Sequence, residues 1–134
     1  MSDLDVIHPE GWLAPRGYSN GISARGRIIS IAGQIGWDPA TCVIESPDFA
    51  QQTVQALRNI VAILARADAR PEHLVRMTWY VTDRQAYVDA RVAIGDAYRE
   101  IIGRHFPAMS VVIVSGLVEV DALVEIEATA VVPE

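Results

Sequence analysis

From Leu123 to Val132 the chain alternates strictly. Val124, Ile126, Ala128 and Ala130 fall on one face, and Glu125, Glu127 and Thr129 fall on the other, which is the period of a half-buried strand. A second apolar run, 106–114, opens at Pro107. Proline cannot donate to a sheet ladder and suits a strand start. Only a short break at Ser115-Gly116 separates the two runs, so they are expected to be neighbours, with two carboxylates on a face not plainly given to solvent. Residues 73–82 also alternate. Val75, Met77, Trp79 and Val81 share one face, and Leu74, Arg76, Thr78, Tyr80 and Thr82 share the other. Near the start, Tyr18–Ala24 and Arg27–Gly33 flank a turn at Gly26 and predict a hairpin.

Two stretches carry helical spacing instead. Ser46-Pro47-Asp48 offers a hydroxyl cap, a proline for the first turn and an acid at the positive end of the dipole. Phe49, Val54, Leu57, Ile60, Val61 and Leu64 then make one apolar stripe to about Ala67. Asp83 is placed to cap a second helix that buries Tyr87, Ile94, Tyr98 and Ile101, with Gly103 just past its end. The order β-β-α-β-α-β-β predicts one α+β domain over 1–134, with an irregular arm at 1–17 and two helices on one face of a mostly antiparallel sheet. The second sheet face would then carry Leu74, Tyr80, Leu123 and Val131 beside charged groups, a mixture poorly placed in water. That face is expected to be buried between subunits.

Composition narrows the function classes. The formal charge is −6 and the only basic side chains besides histidine are scattered arginines, which argues against nucleic acid as the main partner. No run approaches the length of a membrane span, and the acidic first residues lack the regions of a signal peptide, so a cytoplasmic protein is expected. Cys42 is the only cysteine, which excludes an internal disulfide and a thiolate zinc site. His8, His73 and His105 show no metal-ligand spacing, and no serine sits in a nucleophile elbow.

Four short motifs stand in a fixed order: Gly17-Tyr18-Ser19, Ala32-Gly33-Gln34-Ile35, Phe106-Pro107-Ala108-x-Ser110 and Val124-Glu125-Ile126-Glu127-Ala128. Together they resemble the RidA/YjgF superfamily from about Tyr18 to Val132. The resemblance implies a chorismate-mutase-like sandwich and a homotrimer with small-molecule clefts between subunits. It also implies hydrolysis of enamines or imines to a keto acid and ammonia, with no cofactor or metal. The family's arginine after Pro-Ala grips the substrate carboxylate with a bidentate fork; here that position is Met109. The second-helix asparagine falls on Arg91, the hydroxyl before Gly-Gln-Ile on Ala32, and the cysteine two places after the arginine on Val111. Tyr18 and Glu125 persist. The implied function is an enamine or imine deaminase for a specific metabolite other than 2-aminoacrylate. The alternative is a non-catalytic trimer that binds a small molecule or stabilises a partner. A ribonuclease activity, associated with the family name, is opposed by the acidic charge.

Each candidate residue carries two readings. Glu125 can manage a water or proton as the catalytic group, or pair with an arginine at a subunit interface. Tyr18 and the backbone near Gln34 can position a ligand, although Tyr18 can also anchor the arm by packing. Arg91 or Arg16 can receive a carboxylate; a helix arginine is otherwise simply solvated. Met109 makes the pocket more apolar and points to a different substrate. Trp37 can form a pocket wall or lid, or cover the helix below it. Trp79 is expected in the core, Glu127 is expected to be structural, and Cys42 is an ordinary small residue.

Overall fold

The apolar stripe on the first helix and the apolar faces of the strands have one place to go, which is against each other. In the computed structural model, which describes residues 4–134, β3 (Arg27–Ile35), β8 (Val124–Val132), β6 (Leu74–Val81) and β7 (Ala108–Ile113) form a four-stranded sheet in that spatial order. β8 runs antiparallel to both β3 and β6, whereas β6 and β7 are parallel. Helices α1 (Phe49–Arg66) and α2 (Arg84–Ile101) pack on the sheet and on each other. Leu57, Ile60 and Leu64 of α1 join Met77, Val81, Val124 and Ile126 of the sheet in one cluster with no exposed surface. The expected α+β architecture is present.

Several details depart from the sequence expectation. Leu4–Ile7, within the stretch expected to be an irregular arm, forms strand β1 and pairs antiparallel with β2 (Gly21–Ala24); residues 1–3 of that arm lie outside the described residues. The predicted hairpin between β2 and β3 is therefore absent. The turn between them explains why: Gly26 has φ +144°, and a Cβ there would lie 2.0 Å from the Val132 carbonyl oxygen. The chain is pressed against the end of β8, so the turn delivers β3 to β8 instead of folding it onto β2.

The two final runs are not neighbours either. α2 is a crossover that sets β7 parallel on the outer side of β6, and β8 takes the remaining slot between β6 and β3. β7, which follows Pro107, is thereby left at an edge, where a missing N–H does least harm. Leu74, expected on the open face, is fully buried in the core. A bulge is the cause: Leu74 pairs with Ala130 but Arg76 with Thr129, so β6 holds one extra residue and its side-chain alternation shifts. Leu123 also packs on the core. The open face keeps Tyr80 with Glu125 and Glu127 across from it, and Ile28, 70% exposed, opposite Val131.

The cap of α1 is Asp48 rather than Ser46. The Asp48 carboxylate accepts from the Gln51 N–H at 3.0 Å, while the Ser46 hydroxyl accepts from the Asp48 N–H at 3.1 Å. Pro47 precedes the cap instead of opening the helix, which leaves the better acceptor, an aspartate, at the dipole end. Asp83 caps α2 as expected, accepting from the Gln85 and Ala86 N–H groups, and Gly103 takes φ +100° beyond its end. Among the described residues no helix is long and apolar enough to cross a membrane.

Two buried amides of α1 tie the connecting segments down. Gln52 donates to the Ser46 and Asp121 carbonyls at 2.9 and 3.1 Å and accepts from the Leu123 N–H at 2.8 Å. Asn59 donates to the Ile35 and Trp37 carbonyls at 3.3 and 3.0 Å. Replacing Gln52 by leucine keeps the bulk but leaves three backbone groups without a partner. We expect Gln52→Leu to cost about 3 kcal/mol of unfolding free energy, read as a lower denaturant midpoint at unchanged slope. A change under about 0.5 kcal/mol would show that water replaces the amide there.

Candidate functional site

A cavity of about 440 Å³ opens between α2, the edge of the sheet and the segment before β2. Trp79, Met109 and Val111 form its strand side, and Ile94 and Tyr98 form its helix side. Met109 lies in register with Met77, and Val111 with Trp79, so both point toward the helices. Trp79 is almost fully buried and packs edge-on to Tyr87. Among the described residues its indole N–H is buried without a hydrogen-bond partner. Apart from that N–H the deep end is apolar.

Backbone pairing fixes the mouth. Ser19 donates its N–H to the Pro107 carbonyl at 3.0 Å and its hydroxyl to the Phe106 carbonyl. This bridge to Ala108 places Tyr18 beside Met109. The turn that allows it is at Gly17, with φ +79°. On the opposite side Tyr98 donates to the His105 carbonyl at 2.7 Å and stacks on Phe106 at 5.5 Å. His105 Nε2 lies 2.6 Å from the Leu74 carbonyl, so that nitrogen carries the proton and the ring braces the loop. Burial pushes the Tyr98 phenol up. It also raises that of Tyr87, against which the Arg91 charge acts in the lowering direction.

Three arginines border the cavity, namely Arg16, Arg91 and Arg99. Arg99 is held by Asp96 at 2.6 Å and lies over Gly95, whose absent Cβ would meet its guanidinium at 3.5 Å. Among the described residues neither Arg16 nor Arg91 has an ion-pair partner. Two guanidiniums therefore stand free at the rim of an apolar hollow, an arrangement suited to a molecule with an anionic head and an apolar body.

The structure thus brings together Tyr18, Arg91 and Met109, with Arg16. It does not bring Glu125, Gln34 or Trp37 to them within one chain. Glu125 stands on the far face of the sheet, packed over Gly33, where a Cβ would lie 2.7 Å from its carboxyl carbon. Beside it Tyr80 donates to Glu127 at 2.7 Å, and a smaller hollow of about 240 Å³ is bordered by Ser30, Arg76, Thr78 and Glu127. Gln34 donates back to the Ala32 carbonyl at 3.1 Å. Trp37 begins the short strand β4 (Trp37–Asp38), paired with β5 (Val43–Ile44), and its carbonyl is gripped by Asn59 of α1. The sequence reading missed Arg99, and took Tyr87, Tyr98 and Trp79 as core alone. The signal was present: Tyr87, Arg91, Gly95 and Arg99 recur every four residues and line one stripe of α2. Among the described residues no three His, Cys, Asp or Glu side chains are grouped to hold a metal.

The endoribonuclease L-PSP family model matches residues 12–132. A RutC family protein of Pyrococcus horikoshii is 39% identical over 127 residues, covering 94% of this chain and 96% of its own. The human 2-iminobutanoate/2-iminopropanoate deaminase is 30% identical over 105 residues, 78% of this chain and 73% of its own. Among solved structures, YyfB of Yersinia pestis, a protein of unknown function of the conserved Rid family, superimposes with a TM-score of 0.83 at 31% identity, covering 98% of this chain and 100% of its own.

The site's phenols also make a pH prediction. Tyr80, held by Glu127, the half-buried Tyr87 and the buried Tyr98 keep their protons more tightly in the folded chain than in the unfolded one. Their contribution is complete below the ordinary phenol pKa of about 10 and is lost as pH rises through the folded values. The denaturant midpoint is expected to fall progressively as pH rises above about 10, with a shallower fall in Tyr98→Phe. Equal slopes in both proteins would remove Tyr98 as a contributor.

Proposed function

The chain belongs to the endoribonuclease L-PSP family, and on that footing we propose that it is a deaminase hydrolysing a carboxylate-bearing enamine or imine in a cleft completed by a neighbouring chain of a homotrimer. The observation that carries this reading is the pair of free guanidiniums, Arg91 and Arg16, beside Tyr18 at the mouth of the cavity. They supply from the helix and the arm the cation that Met109 does not supply from the strand. The activity named for the human relative supports the reaction class.

The chemistry follows from the placement. Arg91 and Arg16 hold the substrate carboxylate, which orients the adjacent C=N carbon toward the cleft. Tyr18 donates to a polar atom of the bound molecule. A water adds to the iminium carbon as its proton passes to a carboxylate. The carboxylate then returns that proton to the amino nitrogen of the carbinolamine, which expels ammonia as its hydroxyl proton is lost, leaving a keto acid. Glu125 is the carboxylate we assign to that transfer. The sheet separates it from the cavity of its own chain, so it serves a cleft only by facing a neighbour's. Hydrolysis of this kind needs a water and a proton relay, and no cofactor enters the scheme. The nucleic-acid reading of the family name finds no support in a chain of net charge −6.

The test is ammonia release from imines generated in place by an amino-acid oxidase, followed for wild type, Arg91→Ala and Glu125→Ala, with the assembly mass measured against the 14.6 kDa chain. We expect Arg91→Ala to raise KM about tenfold to a hundredfold and Glu125→Ala to lower kcat by at least about a hundredfold. Wild-type rates no faster than buffer would end the deaminase reading. Met109 favours one other reading, a binder without turnover, which would show as thermal stabilisation by keto acids alone.

Gly33 supplies an independent handle. A Cβ at that position would lie 2.7 Å from Cδ and 2.8 Å from Cγ of Glu125, so that side chain must shift. Gly33→Ala is expected to lower kcat while the thermal midpoint stays within a few degrees. Unchanged kcat would argue that the Glu125 position over Gly33 is not the working one.

A further inference from the structure

The cavity has the wrong shape and polarity for a very small substrate. We infer that the molecule it takes is a 2-imino acid with a bulky apolar side chain, branched aliphatic or aromatic, bound with its carboxylate at the rim and its side chain inward. This rests on the deaminase reading and specifies the substrate class of the same site.

Three observations converge. At about 440 Å³ the cavity lies within the range of roughly 300–1,000 Å³ typical of pockets that enclose far larger ligands than a three-carbon acid. Its charges are confined to the rim, since Arg16, Arg91 and Arg99 are all exposed, whereas Trp79, Ile94 and Tyr98 deeper in are buried. Met109 adds an apolar, half-buried side chain on the strand wall. A carboxylate placed at depth would lose its hydration with no cation to replace it, so the head group is held outward and whatever follows it extends along the apolar wall.

The third observation is Gly95. It sits in the middle of α2, where glycine is less favourable than alanine by about 1 kcal/mol. Alanine would meet only the Arg99 guanidinium, at an ordinary 3.5 Å. Packing within the chain does not demand glycine there. The bare stretch of helix instead widens the cavity between Arg91 and Arg99. Met109 and Gly95 are therefore assigned as specificity-determining positions, the first for polarity and the second for width.

The experiment compares kcat/KM for imines generated from alanine, leucine and phenylalanine, and the thermal shift given by propionate against 3-phenylpropionate, two carboxylates that cannot react. We expect the leucine or phenylalanine imine to be favoured over the alanine imine by at least about tenfold, from the extra apolar surface buried. We expect 3-phenylpropionate to stabilise wild type clearly more than propionate, and Arg91→Ala to abolish the difference. Met109→Arg is expected to shift the preference back toward the alanine imine, and Gly95→Val to reduce the phenylalanine imine most. Equal or better hydrolysis of the alanine imine would overturn the substrate class while leaving the deaminase reading intact. Selective stabilisation by 3-phenylpropionate with no imine hydrolysed would support the ligand class and end the deaminase reading. Absence of both selectivities would overturn the inference.

Discussion

Everything in this molecule depends on β8 being apolar on one face only. Val124, Ile126 and Ala130 have no exposed surface and Ala128 very little, because each points under the helices. Glu125, Glu127 and Thr129 alternate with them and point the other way. A strand with this pattern holds only one register against its neighbours, since a slip by one residue would send the glutamates into the core. β8 has strand neighbours on both sides, so its register also positions β3 and β6, and through β6 the edge strand β7 that carries Met109. The division into an apolar, helix-covered side and a polar open side is thus made once, in seven residues, and the rest of the sheet follows it.

That division separates the two halves of the candidate site. The cavity with Arg91, Tyr18 and Met109 lies on the helix side, and Glu125 stands on the open side. Neither half has the parts for imine hydrolysis alone. One has cations and an apolar wall; the other has a carboxylate, packed over a glycine that leaves it room. Association of chains through the open face is the arrangement that lets one side of a sheet serve the other side of a neighbour. It would also cover Ile28 and the Tyr80–Glu127 pair, which otherwise face water.

How much of this was legible in the sequence depended on whether the signal was local. The strands and helices were readable because their periods are carried by neighbouring residues, and the Asp83 cap and the Gly103 stop were where expected. Pairing was not readable in the same way. Adjacency in sequence suggested β2 with β3 and β7 with β8, but the Gly26 contact and the α2 crossover act through space. Leu74 was placed on the wrong face because a bulge resets the alternation without leaving a proline or glycine to mark it. At the site, Tyr18, Arg91 and Met109 were brought into view by motif position and do share one cavity. Glu125 was brought into view by its strand face and its motif position, neither of which says on which side of the sheet the cavity lies. Arg99 and Gly95 belonged to no motif and went unnoticed, although Arg91, Gly95 and Arg99 follow one another in four-residue steps.

If the proposed function holds, the methionine at position 109 bears on which way round a bound acid lies. An arginine there would project from the edge strand into the cavity and draw a carboxylate to the strand wall. With Met109 the proposed anchoring cations are Arg91 of α2 and Arg16 of the arm, at the rim. A bound acid would then present its head to the rim and its side chain to the depth. The reacting carbon, which is bonded to the carboxylate, would lie outward with it, toward the surface a neighbouring chain would cover. A proton-handling role for Glu125 and a carboxylate held by Arg91 and Arg16 are therefore compatible proposals: the first group would come from outside the cavity, and the second would bring the reacting carbon toward that side. On that reading the size of the substrate and the source of the cation are linked through the side chain at position 109.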